Sequence, residues 1–213
     1  MTTVSAVFQA PRTLQVASRL TFEGPDTVRK QGPSWRIRRE VEAMEYVQHR
    51  TSIPIPAIIE VHFAAEQDQG KEQSWMLMER LPGEELGVAW PKMNEDARRE
   101  TIEQLKSHFE QLHQLRPEEP GWIGSCSGGP AYDHRLDSRF TRGPFPTVSA
   151  FHDHLVAPLK ECPRPEWASR YRDQLPDHHN IRFAHADFSW ENILVNPETG
   201  EVNGILDWEM TGF

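Results

Sequence analysis

Two stretches decide the reading: His185-Ala186-Asp187-Phe188-Ser189-Trp190-Glu191-Asn192-Ile193-Leu194-Val195, and Gly204-Ile205-Leu206-Asp207-Trp208-Glu209. Ile193–Val195 is a short apolar run that suits a buried strand. Asn196-Pro197-Glu198-Thr199-Gly200 is turn chemistry: proline sets φ, glycine permits φ > 0, and Asn favours a turn. Val202–Leu206 reads as the returning strand, so the segment predicts a β-hairpin. Folding the chain about that turn brings Asn192 and Asp207 together at the open end, with Asp187 in the loop just before it.

Carboxylate and amide oxygens that converge in this way suit Mg²⁺, a hard cation that takes carboxylates, waters and substrate phosphates. An Asp, an Asn five positions later, a hairpin, and a second Asp on an apolar strand match the parts needed for phosphoryl transfer. The first Asp accepts the hydroxyl proton, and the Asn and second Asp hold the metal. An H-x-D alone would say little, since many hairpins have solvated polar ends. The full spacing, with both strands in place, is far more specific.

The same residues resemble the catalytic segment of the aminoglycoside phosphotransferase and choline kinase group, which usually shows H-G-D-x-x-x-x-N followed by I-D-W-E or I-D-F-E. Leu206-Asp207-Trp208-Glu209 is similar to the version in fungal-type members. The family's middle Gly is Ala186 here, an exchange that suits a backbone without φ > 0 at this position. The resemblance implies an α+β, protein kinase-like two-lobe fold. Residues 1–80 would form a small lobe of antiparallel sheet plus one helix, and residues 81–213 a mainly helical lobe. It further implies ATP and Mg²⁺ as cofactors, Asp187 as catalytic base, His185 as a brace for its loop, and Asn192 and Asp207 as metal ligands.

Further matches lie upstream. Thr27-Val28-Arg29-Lys30 reads as a strand stopped by Gly32-Pro33, and Lys30 occupies the family's phosphate-holding slot. Arg29 is the rival, one residue away and so on the opposite strand face. Arg36–His49 has helical spacing, with Val41, Met44, Tyr46 and Val47 on its apolar side. Glu40 falls on the stripe of Met44 and Val47, and an inward carboxylate needs a partner, for which Lys30 is the nearest candidate. Glu42 and Glu45 then face solvent. Thr51-Ser52-Ile53-Pro54-Ile55-Pro56 is an enforced extended path that matches the family's T-S-I-P-V-P. Strands are predicted over 57–64 and 74–79, with a polar turn at 66–71. Met78-Glu79-Arg80-Leu81-Pro82-Gly83 resembles the family's hinge, where Glu79 and Leu81 would offer backbone groups to adenine.

The remainder is less specific. Residues 1–27 carry no G-x-G-x-x-G, and Gly24-Pro25-Asp26 is a lone turn where the resembled fold has two strands and a phosphate cover. Asn94 is a predicted N-cap for a helix over 95–115, with Glu95 and Asp96 favourable to its dipole. Ile102, Leu105, Phe109 and Leu112 form its predicted apolar stripe, with His108 and His113 on the polar face. Gly121-Trp122-Ile123-Gly124 and Gly143-Pro144-Phe145 recur in fungal-type members and read as structural. Residues 148–159 read as a helix, and Trp167 and Tyr171 as packing anchors.

Composition narrows the class. The chain has 213 residues, a net charge of −9 and two cysteines, Cys126 and Cys162. An acidic balance disfavours nucleic acid and anionic membranes as partners, while leaving cationic small molecules open. Two cysteines give no disulfide framework and no zinc spacing, which suits a reducing compartment. No run approaches membrane-spanning length and no secretory signal begins the chain, so a cytoplasmic location is expected.

Three functions compete. The first is an ATP-dependent kinase acting on a hydroxyl of a small molecule. The second is a non-catalytic nucleotide-binding module, since members of the resembled family continue past D-W-E with helices that shape the acceptor site. On that ground the helical lobe is expected to be incomplete, and acceptor phosphorylation weak or missing. The third is a metal-dependent hydrolase built from some of the ten histidines, among them His152, His154, His178 and His179. His152 and His154 are two apart on a predicted helix and so diverge.

Overall fold

The computed structural model describes residues 19–64, 73–117, 122–136 and 141–213. The first sheet is antiparallel, in the order β1-β2-β4-β3: β1 Leu20–Phe22, β2 Thr27–Gly32, β3 Ile58–His62 and β4 Ser74–Glu79. Helix α1, Ser34–Gln48, follows β2 directly. Its buried residues Ile37, Val41, Met44 and Val47 recur at helical spacing and join Met76 of β4 in the core. Glu42 and Glu45 lie on its exposed side, as their spacing predicts. Of the two strands the resembled fold places within 1–27, β1 lies in the described residues, and it joins the Lys30 strand β2 through Gly24 at φ 87°. The polar turn expected at 66–71 and everything before Arg19 lie outside the described residues.

The second sheet has three strands, in the order β5-β6-β7: β5 Glu84–Glu85, β6 Ile193–Val195 and β7 Val202–Ile205. The predicted hairpin is therefore present, with Ile193 opposite Ile205 and Leu194 opposite Gly204. Strand β5 comes straight off the hinge and pairs with β6. Residues 79–83 thus pack on this hairpin: a Cβ at Gly204 would overlap Leu81 Cδ1.

Short helix α2, Leu86–Ala89, leads to the long helix α3, Glu95–Gln114. The Asn94 side chain accepts from the Ala97 N–H, the predicted cap. The buried face of α3 differs from the predicted stripe. Ala97, Thr101, His108 and Leu112 are buried, whereas Ile102 and Phe109 are exposed. The reason is close approach. Gly200, at φ 80°, lies so near Ala97 that a Cβ would strike its carbonyl, and Thr101 Oγ1 donates to the Gly200 carbonyl at 2.7 Å. Small residues let the hairpin turn seat on α3, and His108 follows two turns on. Burial lowers its pKa.

Helix α4, Val148–Val156, passes into a 3-10 turn over Ala157–Glu161, which contains Pro158. Proline has no N–H for an α-helical bond, so the helix ends before the predicted 159. His152 is buried and bonded to Asp177 at 2.9 Å, while His154 lies against Phe145. The two histidines diverge. In helix α5, Glu166–Arg172, Ala168 is the buried residue. Tyr171 is exposed and so is no packing anchor. Ile123 bridges Phe145, and Gly124 exchanges backbone hydrogen bonds with Phe213, each at 2.9 Å. Among the described residues no helix is long and apolar enough to cross a membrane.

Candidate active site

Lys30 lies on β2 of the first sheet, and its side chain reaches Asp207, just past β7 of the second. Its Nζ is 2.7 Å from Glu40 of α1 and 2.8 Å from Asp207, with Glu209 at 3.6 Å. Three carboxylates therefore surround one ammonium. Burial opposes the charge on Lys30, but attraction from Glu40, Asp207 and Glu209 outweighs it and raises the pKa. Burial together with Asp207 and Glu209 pushes Glu40 up to about 7, against the pull of Lys30. Asp207 is also opposed by burial, yet Lys30 draws it below its ordinary value. Arg29, the rival cation, instead lies over the Trp75 ring at 4.0 Å and pairs with Glu23.

The loop that carries Asp187 is braced by His185. His185 Nε2 donates to the Leu206 carbonyl at 2.9 Å, and His185 Nδ1 accepts from the Asp187 N–H at 3.3 Å. One nitrogen donates and the other accepts, which is the neutral imidazole. Burial lowers its pKa, in keeping with that state. Asn192 Nδ2 donates to the Asp187 carbonyl at 2.9 Å and to its carboxylate at 3.2 Å. The Leu206 N–H donates to the Asn192 carbonyl at 2.8 Å, which draws the start of the hairpin to its end. Asp187, Asn192 and Asp207 thus share one rim.

One expectation fails at Ala186, whose φ is 64°. Its backbone adopts the left-handed conformation that glycine tolerates freely, so alanine here stores strain of about 1–2 kcal/mol. Asp207 is also left-handed, at φ 62°, and a short polar side chain tolerates this better than alanine. At the hinge, the Glu79 N–H is committed to the Ala57 carbonyl at 2.9 Å, so Glu79 could meet a base only through its carbonyl.

Arg39, Glu209, Arg19 and Arg135 belong to this region although the sequence did not single them out. Arg39 is buried. It donates from Nε to the Glu209 carbonyl at 2.8 Å, from Nη2 to the Thr211 carbonyl at 2.9 Å, and from Nη1 to the Pro130 carbonyl. Glu209 receives Arg19 Nη1 at 2.8 Å. Arg135, paired with Asp133, donates to the Ala186 carbonyl at 3.0 Å. The W-E pair after Asp207 was the available signal for Glu209. Nothing local marks the arginines.

The donor types fit a hard divalent cation: a partly exposed Asp207 carboxylate, and the Asn192 amide, whose backbone carbonyl receives the Leu206 N–H next to Asp207. Among the described residues, the one acidic or histidine cluster with metal-like spacing is Glu40, Asp207 and Glu209, and the Lys30 ammonium stands against all three. No histidine joins it.

An antiparallel sheet with one inward-facing helix, stacked on a helical body that carries a catalytic hairpin, defines a kinase-like fold. The model of the phosphotransferase enzyme family (APH) matches residues 27–213, and the chain belongs to that family. It is 24% identical over 205 residues to an aminoglycoside 3'-phosphotransferase of Streptomyces ribosidificus, covering 89% of this chain and 67% of that protein. A Streptomyces fradiae aminoglycoside 3'-phosphotransferase is 25% identical over 176 residues, covering 79% of this chain and 56% of its own length. The fold is similar to that of aminoglycoside 2'-phosphotransferase-IIIa in complex with GDP. The TM-score is 0.60 at 14% identity, over 88% of this chain and 61% of that one. The chain spans about two thirds or less of the length of these proteins.

Proposed function

We propose that this chain carries the nucleotide and metal site of a phosphotransferase that moves the γ-phosphate of ATP to a hydroxyl of a small molecule. The observation that carries the reading is Lys30 held between Glu40 at 2.7 Å and Asp207 at 2.8 Å, across the two sheets. In this reading residues 1–80 hold the nucleotide and residues 81–213 supply the catalytic loop and the metal ligands. Glu79 and Leu81 face the base, Lys30 holds the phosphates, and Asn192 and Asp207 hold Mg²⁺. Bound there, Mg²⁺ neutralises charge on the transferring phosphates.

The protein's own part is positioning and electrostatics. Glu40 keeps Lys30 charged and in place. Asp187, fixed by Asn192 and by the His185 brace, orients the acceptor hydroxyl and takes its proton. The neutral His185 holds the loop and does not react. The acidic balance of the chain suits a cationic acceptor, and the two curated relatives are named for aminoglycosides, so amino-substituted small molecules are the first class to test. A cytoplasmic location agrees with use of ATP.

The test is Mg²⁺-dependent consumption of ATP by the purified chain, and by a longer form if one is made, against a panel of amino alcohols and aminoglycosides. Mg²⁺–ATP binding is expected, with acceptor phosphorylation weak or missing in the chain as given and saturable in a longer form. Failure to bind Mg²⁺–ATP at all would overturn the reading.

A further inference from the structure

Arg19 precedes β1, and its backbone is pinned beside Lys30, because the Gln31 N–H donates to the Arg19 carbonyl at 2.8 Å. Its guanidinium reaches across to Glu209, with Nη1 at 2.8 Å and Nη2 at 3.4 Å. Glu209 is also 3.6 Å from Lys30, so the two cations share a carboxylate. What can be reached from solvent differs sharply within this cluster. The Lys30, Glu40 and Glu209 side chains are 6%, 2% and 5% exposed. Those of Arg19 and Asp207 are 26% and 31% exposed. From solvent, then, this cluster presents one carboxylate and one guanidinium.

Charge balance gives the guanidinium a role. Lys30 and Arg19 face three carboxylates, so the cluster by itself leans negative. A divalent cation taken up at Asp207 would reverse that balance and leave net positive charge for a polyphosphate. The chain also lacks a G-x-G-x-x-G, whose backbone N–H groups would otherwise cover the phosphates. We infer that Arg19 is a phosphate-contacting residue of the nucleotide site, with Glu209 as the positioning residue that aims it. A planar guanidinium suits this task, since its fork can keep Glu209 on one edge and meet phosphate oxygens with its other N–H donors. The inference rests on the proposed nucleotide site.

The experiment is calorimetric titration of the full chain with Mg²⁺–ATP, Mg²⁺–ADP and adenosine. Arg19→Gln should weaken both nucleotides about tenfold or more and leave adenosine within about twofold, as expected for a lost charge-assisted hydrogen bond. The double variant Arg19→Gln/Glu209→Gln separates direct contact from mere neutralisation of Glu209. Binding that stays weak in the double variant supports direct contact, while recovery to the unaltered affinity overturns it. Arg19 in the unaltered chain can be followed by phenylglyoxal modification and mass spectrometry, which does not depend on any variant folding. Protection by Mg²⁺–ATP but not by adenosine is expected, and equal modification under both conditions would overturn the inference. If the unaltered chain binds no nucleotide, the proposed site fails and takes this inference with it. Normal binding with an unchanged Arg19→Gln variant refutes the inference alone.

Discussion

Arg39 Nε donates to the Glu209 carbonyl at 2.8 Å, across 170 residues of chain. Arg39 and Glu40 are neighbours on α1, yet one grips the segment after Asp207 while the other grips Lys30. The helix is therefore bolted to the segment after Asp207 by one residue and to Lys30 of β2 by the next. Arg39→Met should leave the buried Glu209 and Thr211 carbonyls, and the more exposed Pro130 carbonyl, without this donor. The expected loss is about 2–4 kcal/mol, read as a lowered urea midpoint. A loss below about 1 kcal/mol would show that the contacts are incidental.

Asp207 and Asp187 should separate binding from turnover. A metal ligand acts in the ground state, whereas a base acts mainly in the transition state. Asp207→Ala is expected to abolish Mg²⁺-dependent nucleotide binding. Asp187→Asn should keep binding and lower turnover about 10²–10⁴-fold. Equal loss of binding in the two variants, measured by calorimetry, would refute the assignment.

Ala186 offers a gain. Its φ of 64° is one that glycine adopts without penalty. Ala186→Gly should stabilise the chain by about 0.5–1.5 kcal/mol, the relieved strain less the added freedom of the unfolded chain. A lower denaturation midpoint in the variant would count against a strained backbone at this position.

Glu40 predicts a pH effect. Burial, with Asp207 and Glu209 nearby, pushes it up to about 7, so in the mildly acidic range the folded chain holds a proton that the unfolded chain has released. Its contribution to stability is full below the ordinary carboxylate pKa and is lost as pH rises through about 7. Glu40→Gln should therefore flatten the fall in Tm across that window. An unchanged Tm–pH profile in the variant would place the titration elsewhere.

Legibility followed sequence distance. The hairpin could be read because its turn residues and apolar runs are adjacent, and Glu40 because its stripe repeats every turn of one helix. Lys30 was separable from Arg29 by strand alternation. Arg39 was not separable from Arg36 and Arg38, since charged residues on a helix read alike and the partners of Arg39 lie in remote loops. Arg19 and Glu209 are 190 positions apart. Helix α3 shows a different limit. Hydropathy favoured Ile102 and Phe109, but small size decided the buried face, because Ala97 and Thr101 admit Gly200.

The outer strand of the catalytic hairpin is finished off in an unusual way. The Ile205 N–H goes to the Pro54 carbonyl at 2.9 Å, and the Val202 N–H to Gln104 Oε1 at 2.9 Å. Neither acceptor belongs to a strand. Pro54 and Pro56 have no N–H of their own to pass a ladder onward. A bare row of strand donors recruits other chains edge to edge, and β7 carries a buried apolar residue at each end, Val202 and Ile205. The proline path between α1 and β3 thus blocks self-templated aggregation at the strand that leads into Asp207.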